Sequence, residues 1–310
     1  MENQAERTLQ KVLLFLEMGN LEEATKALRK HIENNLESRE LIFTSECCLF
    51  WKSQIERLSE IESPFERGET LLSEWRLFLN SIIRQHEKVY EPTFRAVCHG
   101  IFSLALQNYT QLLDEQDPIL RSELLRKIGL CYKKLGEFDN ALQCLAEANM
   151  QRQQQAAVIA DLADCYALCG DDKAAKVLFR EAFFIDCKQV DLDFLDSELI
   201  KSLISRIEEK GISGELLNAW IPIYGTLWGV FTIRRPLKSN EVIKLRKEIY
   251  ALENEMKLPV RGKEFQTPRL LNMYFRLIDH CQERNDRELL NETLLKIKIL
   301  DAAVYNQYVR

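Results

Sequence analysis

Ser122-Glu-Leu-Leu-Arg-Lys-Ile-Gly-Leu-Cys-Tyr-Lys-Lys-Leu-Gly-Glu-Phe-Asp-Asn-Ala-Leu-Gln-Cys-Leu-Ala-Glu-Ala148 is followed, after a short break, by Ala156-Ala-Val-Ile-Ala-Asp-Leu-Ala-Asp-Cys-Tyr-Ala-Leu-Cys-Gly-Asp-Asp-Lys-Ala-Ala-Lys-Val-Leu-Phe-Arg-Glu-Ala182. The two stretches repeat one pattern at a spacing of 34 residues. Tyr132 recurs as Tyr166, Gly129 as Ala163, Gly136 as Gly170, Ala141 as Ala175, Leu145 as Phe179 and Ala148 as Ala182. A fixed period of this size marks a repeat protein, whose units are helix pairs that bury a core only by stacking.

Each recurring position has a physical task. Gly129 and Ala163 let the two helices of a pair cross closely, and Ala141 and Ala175 supply the matching small surface on the second helix. Ala148 and Ala182 leave room for the next pair, while Tyr132, Tyr166, Leu145 and Phe179 fill the remaining space. Phe15, Gly19, Leu21, Ala24 and Leu28 copy the same spacing near the start of the chain and suggest a degenerate first unit.

Over these 65 or so residues the chain resembles the tetratricopeptide repeat family. It departs from the family pattern at Leu125 and Ile159, where an aromatic is usual, and at Gln153 and Cys187, where a proline is usual. The resemblance implies an all-α solenoid of antiparallel helix pairs, a superhelix with additional C-terminal helices, acting as a non-enzymatic scaffold for protein–protein interaction. It also implies that the first helix of each pair lines a concave groove for a peptide or helix of a partner. The groove positions would be Glu123, Arg126, Lys127, Leu130 and Lys133 in one repeat, and Ala157, Ala160, Asp161, Asp164 and Leu168 in the next. Family members that grip a C-terminal carboxylate use an asparagine where Leu130 stands, so that mode is not implied. Basic Arg126 and Lys133 beside acidic Asp161 and Asp164 suit a peptide of mixed charge. The competing reading makes these charges solvated faces with internal ion pairs.

Composition agrees with helix throughout. The chain has 310 residues, 46% hydrophobic and 29% charged, with only 11 Gly and 7 Pro. We expect three regions: N-terminal helical pairs over 1–118, the clear repeats with a closing helix over 119–212, and a C-terminal helical region over 213–310. Specific expectations are a continuous helix from Leu192 to Lys210, an interrupted stretch from Leu216 to Val230, and an N-cap at Ser239 opening a helix to Lys257. Beyond a linker from Leu258 to Gln266, Thr267-Pro268 should open a helix to Glu283, and one last helix should run from Asp286 to Tyr305.

A net charge of −6 argues against a general nucleic-acid binder or membrane-surface binder. No run reaches the roughly 18 apolar residues of a membrane span, and we expect a cytoplasmic protein without membrane insertion. The 9 cysteines, an odd number without a CxxC pair, read as reduced core thiols, with no metal and no cofactor. Phosphate-binding glycine loops and nucleophile motifs are missing, so no catalytic residues are expected. Three secondary features remain. Trp220 and Trp228, in an aromatic run ending at Phe231, are either core or a partner anchor, with core the stronger reading. Arg234, Arg235 and Lys238, with Lys244, Arg246 and Lys247, form a basic cluster that would serve an RNA or phosphate, or simply face solvent. The stripe Val242, Leu245, Ile249, Leu252 and Met256 offers a surface for a homodimer.

Overall fold

The computed structural model describes residues 2–32, 38–233, 235–257 and 263–309. All regular structure among these residues is helical, and the chain divides into two compact units, residues 1–152 and 153–310. The linker expected at 258–266 falls in large part outside the described residues, as does Arg234.

The first unit holds α1 (Glu2–Glu17), α2 (Leu21–Ile32), α3 (Arg39–Leu58), α4 (Pro64–Ser81), α5 (Glu91–Thr110), α6 (Pro118–Leu135) and α7 (Phe138–Gln151). Cap chemistry sets the boundaries. Asp117 accepts from the backbone N–H groups of Ile119 (2.8 Å) and Leu120 (3.0 Å) while Pro118 occupies the first helical position, where its missing N–H costs nothing. Gly136 ends α6 at φ +80°, a left-handed conformation that a Cβ would strain, and the chain turns directly into α7. The hairpin closes tightly because Gly129 has no side chain: a Cβ there would come within 2.7 Å of the Leu145 Cγ. The α1–α2 hairpin follows the same plan, with Leu16, Ala24 and Leu28 buried as its spacing predicts. α5 is the hub on which α1, α4 and α6 pack. Around it Trp75 lies 5.0 Å from Phe102 and 6.1 Å from Trp51, ring centroid to ring centroid.

The second unit holds α8 (Ala156–Leu168), α9 (Asp172–Asp186), α10 (Glu198–Glu208), α11 (Glu215–Leu227), α12 (Ser239–Glu255), α13 (Lys263–Arg284), α14 (Arg287–Leu300) and α15 (Ala302–Tyr308). Two cores organise it. Phe179, Phe183 and Phe231 stack at 6.4–6.5 Å and gather Ile200, Leu203 and Ile207 of α10. Leu245, Ile249 and Leu252 of α12 pack with Leu271, Phe275 and Ile278 of α13. The stripe expected to serve a homodimer is therefore spent inside the unit.

Several boundaries differ from expectation, each for a physical reason. The stretch around Pro222 is helical, as α11, with that proline inside it. One missing N–H is offset because Ile221, Pro222, Ile223 and Gly225 are all buried. α13 begins before Thr267-Pro268, at Lys263; a proline at the sixth position forfeits only a bond to the first turn. Glu241, rather than Ser239, supplies the side-chain bond at the start of α12, accepting from the Lys238 N–H at 2.8 Å. The last helix is broken at Asp301, whose carboxylate accepts from Ala303 and Val304 N–H (both 2.9 Å) and starts α15. The segment from Leu192 opens with a single 3-10 turn, and α10 starts only at Glu198.

Candidate functional site

The repeat positions expected to face a groove divide sharply by exposure. Glu123 keeps 39% of its side chain exposed and pairs with Arg126 at 3.1 Å. Lys127 is buried: α4 brings Glu69 to it, with the ammonium 2.8 Å from Oε1 and 2.9 Å from Oε2, and the Tyr109 hydroxyl donates to the same carboxylate at 2.6 Å. Burial, reinforced by the neighbouring Glu69 charge, pushes the Tyr109 phenol well above its ordinary pKa. Gly68 makes room for this ring, since a Cβ there would meet it. Leu130 and Lys133 are also buried.

In the second repeat Ala160, Asp161 and Asp164 are buried, while Ala157 and Leu168 are partly exposed. Asp164 is 0% exposed and works as a cap delivered from another helix. Its two oxygens accept from the Asp196 and Ser197 N–H groups, both at 2.8 Å, at the N-terminus of α10. This anchoring interrupts the helix that the sequence leads one to draw from Leu192. Of the ten groove positions, Glu123, Arg126, Ala157 and Leu168 retain partial exposure.

The aromatic run is neither plain core nor bare surface. Ile221, Ile223 and Phe231 are buried, whereas Trp220, Tyr224 and Trp228 form a half-buried ladder along α11, with centroid spacings of 5.7 and 4.7 Å. From α10, the Arg206 guanidinium covers Trp228 at 4.2 Å and Lys210 sits 5.6 Å from the Tyr224 ring.

The basic cluster is similarly split. Lys238, Lys244, Arg246 and Lys247 are exposed. Arg235 is held by two carboxylates, Glu241 at 2.7 Å and Glu181 at 3.2 Å, and Glu181 also receives Arg276 of α13. The hydrogen-bonded Arg235 guanidinium brings the Glu241 carboxyl down to about 2. This network borders a cleft of about 620 Å³ that α9, α11, α12 and α13 line together. Glu181, Arg269 and Arg276 had no sequence signal as site residues, because the cleft collects them from segments nearly a hundred positions apart.

Among the described residues no three His, Cys, Asp or Glu side chains gather as a metal site, and no helix is long and apolar enough to cross a membrane. None of the nine cysteines is joined in a disulfide. Burial raises the Cys48 thiol to about 12 and the Cys281 thiol to about 11.

A family model described as tetratricopeptide repeat matches residues 123–154, the α6–α7 hairpin and its exit. No curated protein matches the chain. With the hairpin closed over Gly129 and left-handed at Gly136, residues 123–154 form a tetratricopeptide repeat.

Proposed function

We propose that the protein is a non-enzymatic scaffold that holds a peptide or helix of a partner protein along the first helices of its repeats. The supporting observation is the repeat itself, since helix pairs of this family serve protein interaction and their first helices face the ligand. Glu123, Arg126, Ala157 and Leu168 are the contacts in this reading, because they keep exposed surface, whereas Lys127 and Asp164 serve the fold. Nine cysteines without a disulfide among them favour a reducing compartment, and we place the protein in the cytoplasm.

The test is a quantitative pull-down with Arg126→Glu, Ala157→Arg and Leu168→Glu, each checked for unchanged helicity by circular dichroism. Loss of the same partner in at least two variants supports the reading. Full retention by all three refutes it.

A further inference from the structure

The outer faces of α12 and α14 keep large apolar side chains in solvent. On α12, Leu245, Ile249 and Leu252 are buried against α13, whereas Ile243 and Tyr250, seven positions apart on one stripe, are exposed, Tyr250 by 68%. On α14, Thr293 and Ile297 are buried, whereas Leu295 and Ile299 are exposed, Ile299 by 79%. Charge follows the same division. Arg246 and Lys247 stand along α12 between Ile243 and Tyr250, exposed and with no ion pair among the described residues. Glu288 and Glu292 continue the α14 stripe towards its N-terminus. Glu288 has no ionic partner among the described residues, and Glu292 has only Lys296 of its own helix, at 3.2 Å.

Hydrogen bonds and one ion pair fix how the two helices lie. Gln266 of α13 donates to Glu255 at 2.7 Å, and Tyr274, further along, donates to Glu253 at 2.6 Å, so α12 runs antiparallel to α13. α14 returns from α13 through a turn at Asn285, left-handed at φ +56°, and its Lys296 reaches Glu253 at 3.2 Å. Hence α12 and α14 lie side by side and parallel, with α13 packed on both. Glu253 and Lys296 mark a common level, and each residue rises about 1.5 Å. Towards the N-terminal ends, Leu295 then stands about 1.5 Å from that level and Tyr250 about 4.5 Å. Arg246 and Lys247 stand at about 9–10.5 Å, between Glu292 at about 6 Å and Glu288 at about 12 Å.

We propose that this face binds a second copy of the chain, as a closed dimer whose two-fold axis runs along α12 and α14. Rotation about such an axis lays α12 of each copy on α14 of the other and keeps both directions and levels. Tyr250 then meets the partner's Leu295 and Ile299, while Arg246 and Lys247 meet the partner's Glu288 and Glu292. Charge selects this occupant. The face carries cations on one helix and carboxylates at matching levels on the other, so it is its own complement, whereas a uniformly acidic or basic partner meets repulsion over one helix. Two helices about 20–25 Å long and about 10 Å wide give a footprint of about 400–500 Å² per copy. That is roughly half of the 800 Å² per partner of a standard interface, so the dimer is weak, with a dissociation constant of about 10–100 µM. It uses the side of α12 opposite the buried Leu245 stripe, and it stands whether or not the repeat face binds a partner.

Sedimentation equilibrium of the full chain at about 5–300 µM, a range set by the expected affinity, tests this. The double variants Arg246→Glu/Lys247→Glu and Glu288→Lys/Glu292→Lys should each weaken self-association about tenfold or more, because each homodimer then opposes like charges. Mixing the two should restore a one-to-one dimer, since every α12 again meets an α14 of opposite sign. All four positions are exposed, so circular dichroism should match the parent chain in both variants. Ile299→Asp should weaken the parent dimer by a similar factor, whereas Arg126→Glu on the repeat face should leave it unaltered. A parent chain that stays monomeric throughout, an open series of larger oligomers, a dimer indifferent to both charge reversals, or two helical variants that fail to pair would each overturn the proposal.

Discussion

Replacing Asp164 separates a structural anchor from a ligand-binding charge. The carboxylate is fully buried and satisfies two backbone donors at the start of α10 with 2.8 Å bonds. Hydrogen bonds to a charged group contribute about 1.5–3 kcal/mol each, and truncation also strands the donors, so Asp164→Ala should cost about 3–5 kcal/mol. Asp164→Asn keeps one acceptor and turns an NH2 toward the other N–H, so about half of that loss is expected. Urea denaturation measures the total, and because two units need not unfold together, hydrogen exchange supplies the local reading. Amides at the start of α10, Glu198 to Lys201, should lose protection in both variants, more in the alanine one. A loss below about 1 kcal/mol with α10 protection unchanged would refute the capping argument.

Gly100→Val should detach the α1–α2 hairpin from α5, because a Cβ at this position runs into the Leu16 carbonyl oxygen; we expect a loss of about 2–4 kcal/mol and new proteolytic cuts before residue 40. Glu241 makes the second unit sensitive to acid. Its folded carboxyl is more acidic than an unfolded one, so its stabilisation is complete above about pH 4.3 and fades as pH falls toward the folded value of about 2. The side chain is 32% exposed, which limits the effect to about 1 kcal/mol, and Glu241→Gln should flatten that part of the pH–stability curve. Among the thiols, exposed Cys169 should react first with iodoacetamide, while Cys47, Cys48, Cys131, Cys165 and Cys281 stay unlabelled until unfolding; labelling followed by mass spectrometry checks the order.

The repeat was readable because its message lies in residues that are small for a reason internal to the hairpin. Gly129 is required by Leu145 sixteen positions on, and Gly136 by a turn two residues from the next helix, so a window of about thirty residues contains cause and consequence together. Proline is a weaker guide, since the rule that it breaks helices counts one lost hydrogen bond and leaves out the apolar surface that Pro222 and its neighbours bury. Charged residues on a first helix are the hardest to read, because the resemblance to the repeat family places Lys127 and Asp164 on the groove face whatever packs against them. Whether that face meets solvent depends on Glu69, 58 positions earlier, and on the backbone of Asp196 and Ser197, 32 and 33 positions later. A ligand-binding lysine and a lysine paired across two helices occupy the same place in the pattern, and only the partner distinguishes them. The same reasoning explains the cleft. Glu181, Arg235, Glu241 and Arg276 look like ordinary charged residues along the chain and form one network only when α9, α12 and α13 stand beside each other. In a helical repeat protein, therefore, small residues report the fold from sequence alone, and charged residues report function only after their neighbours across the helices are known.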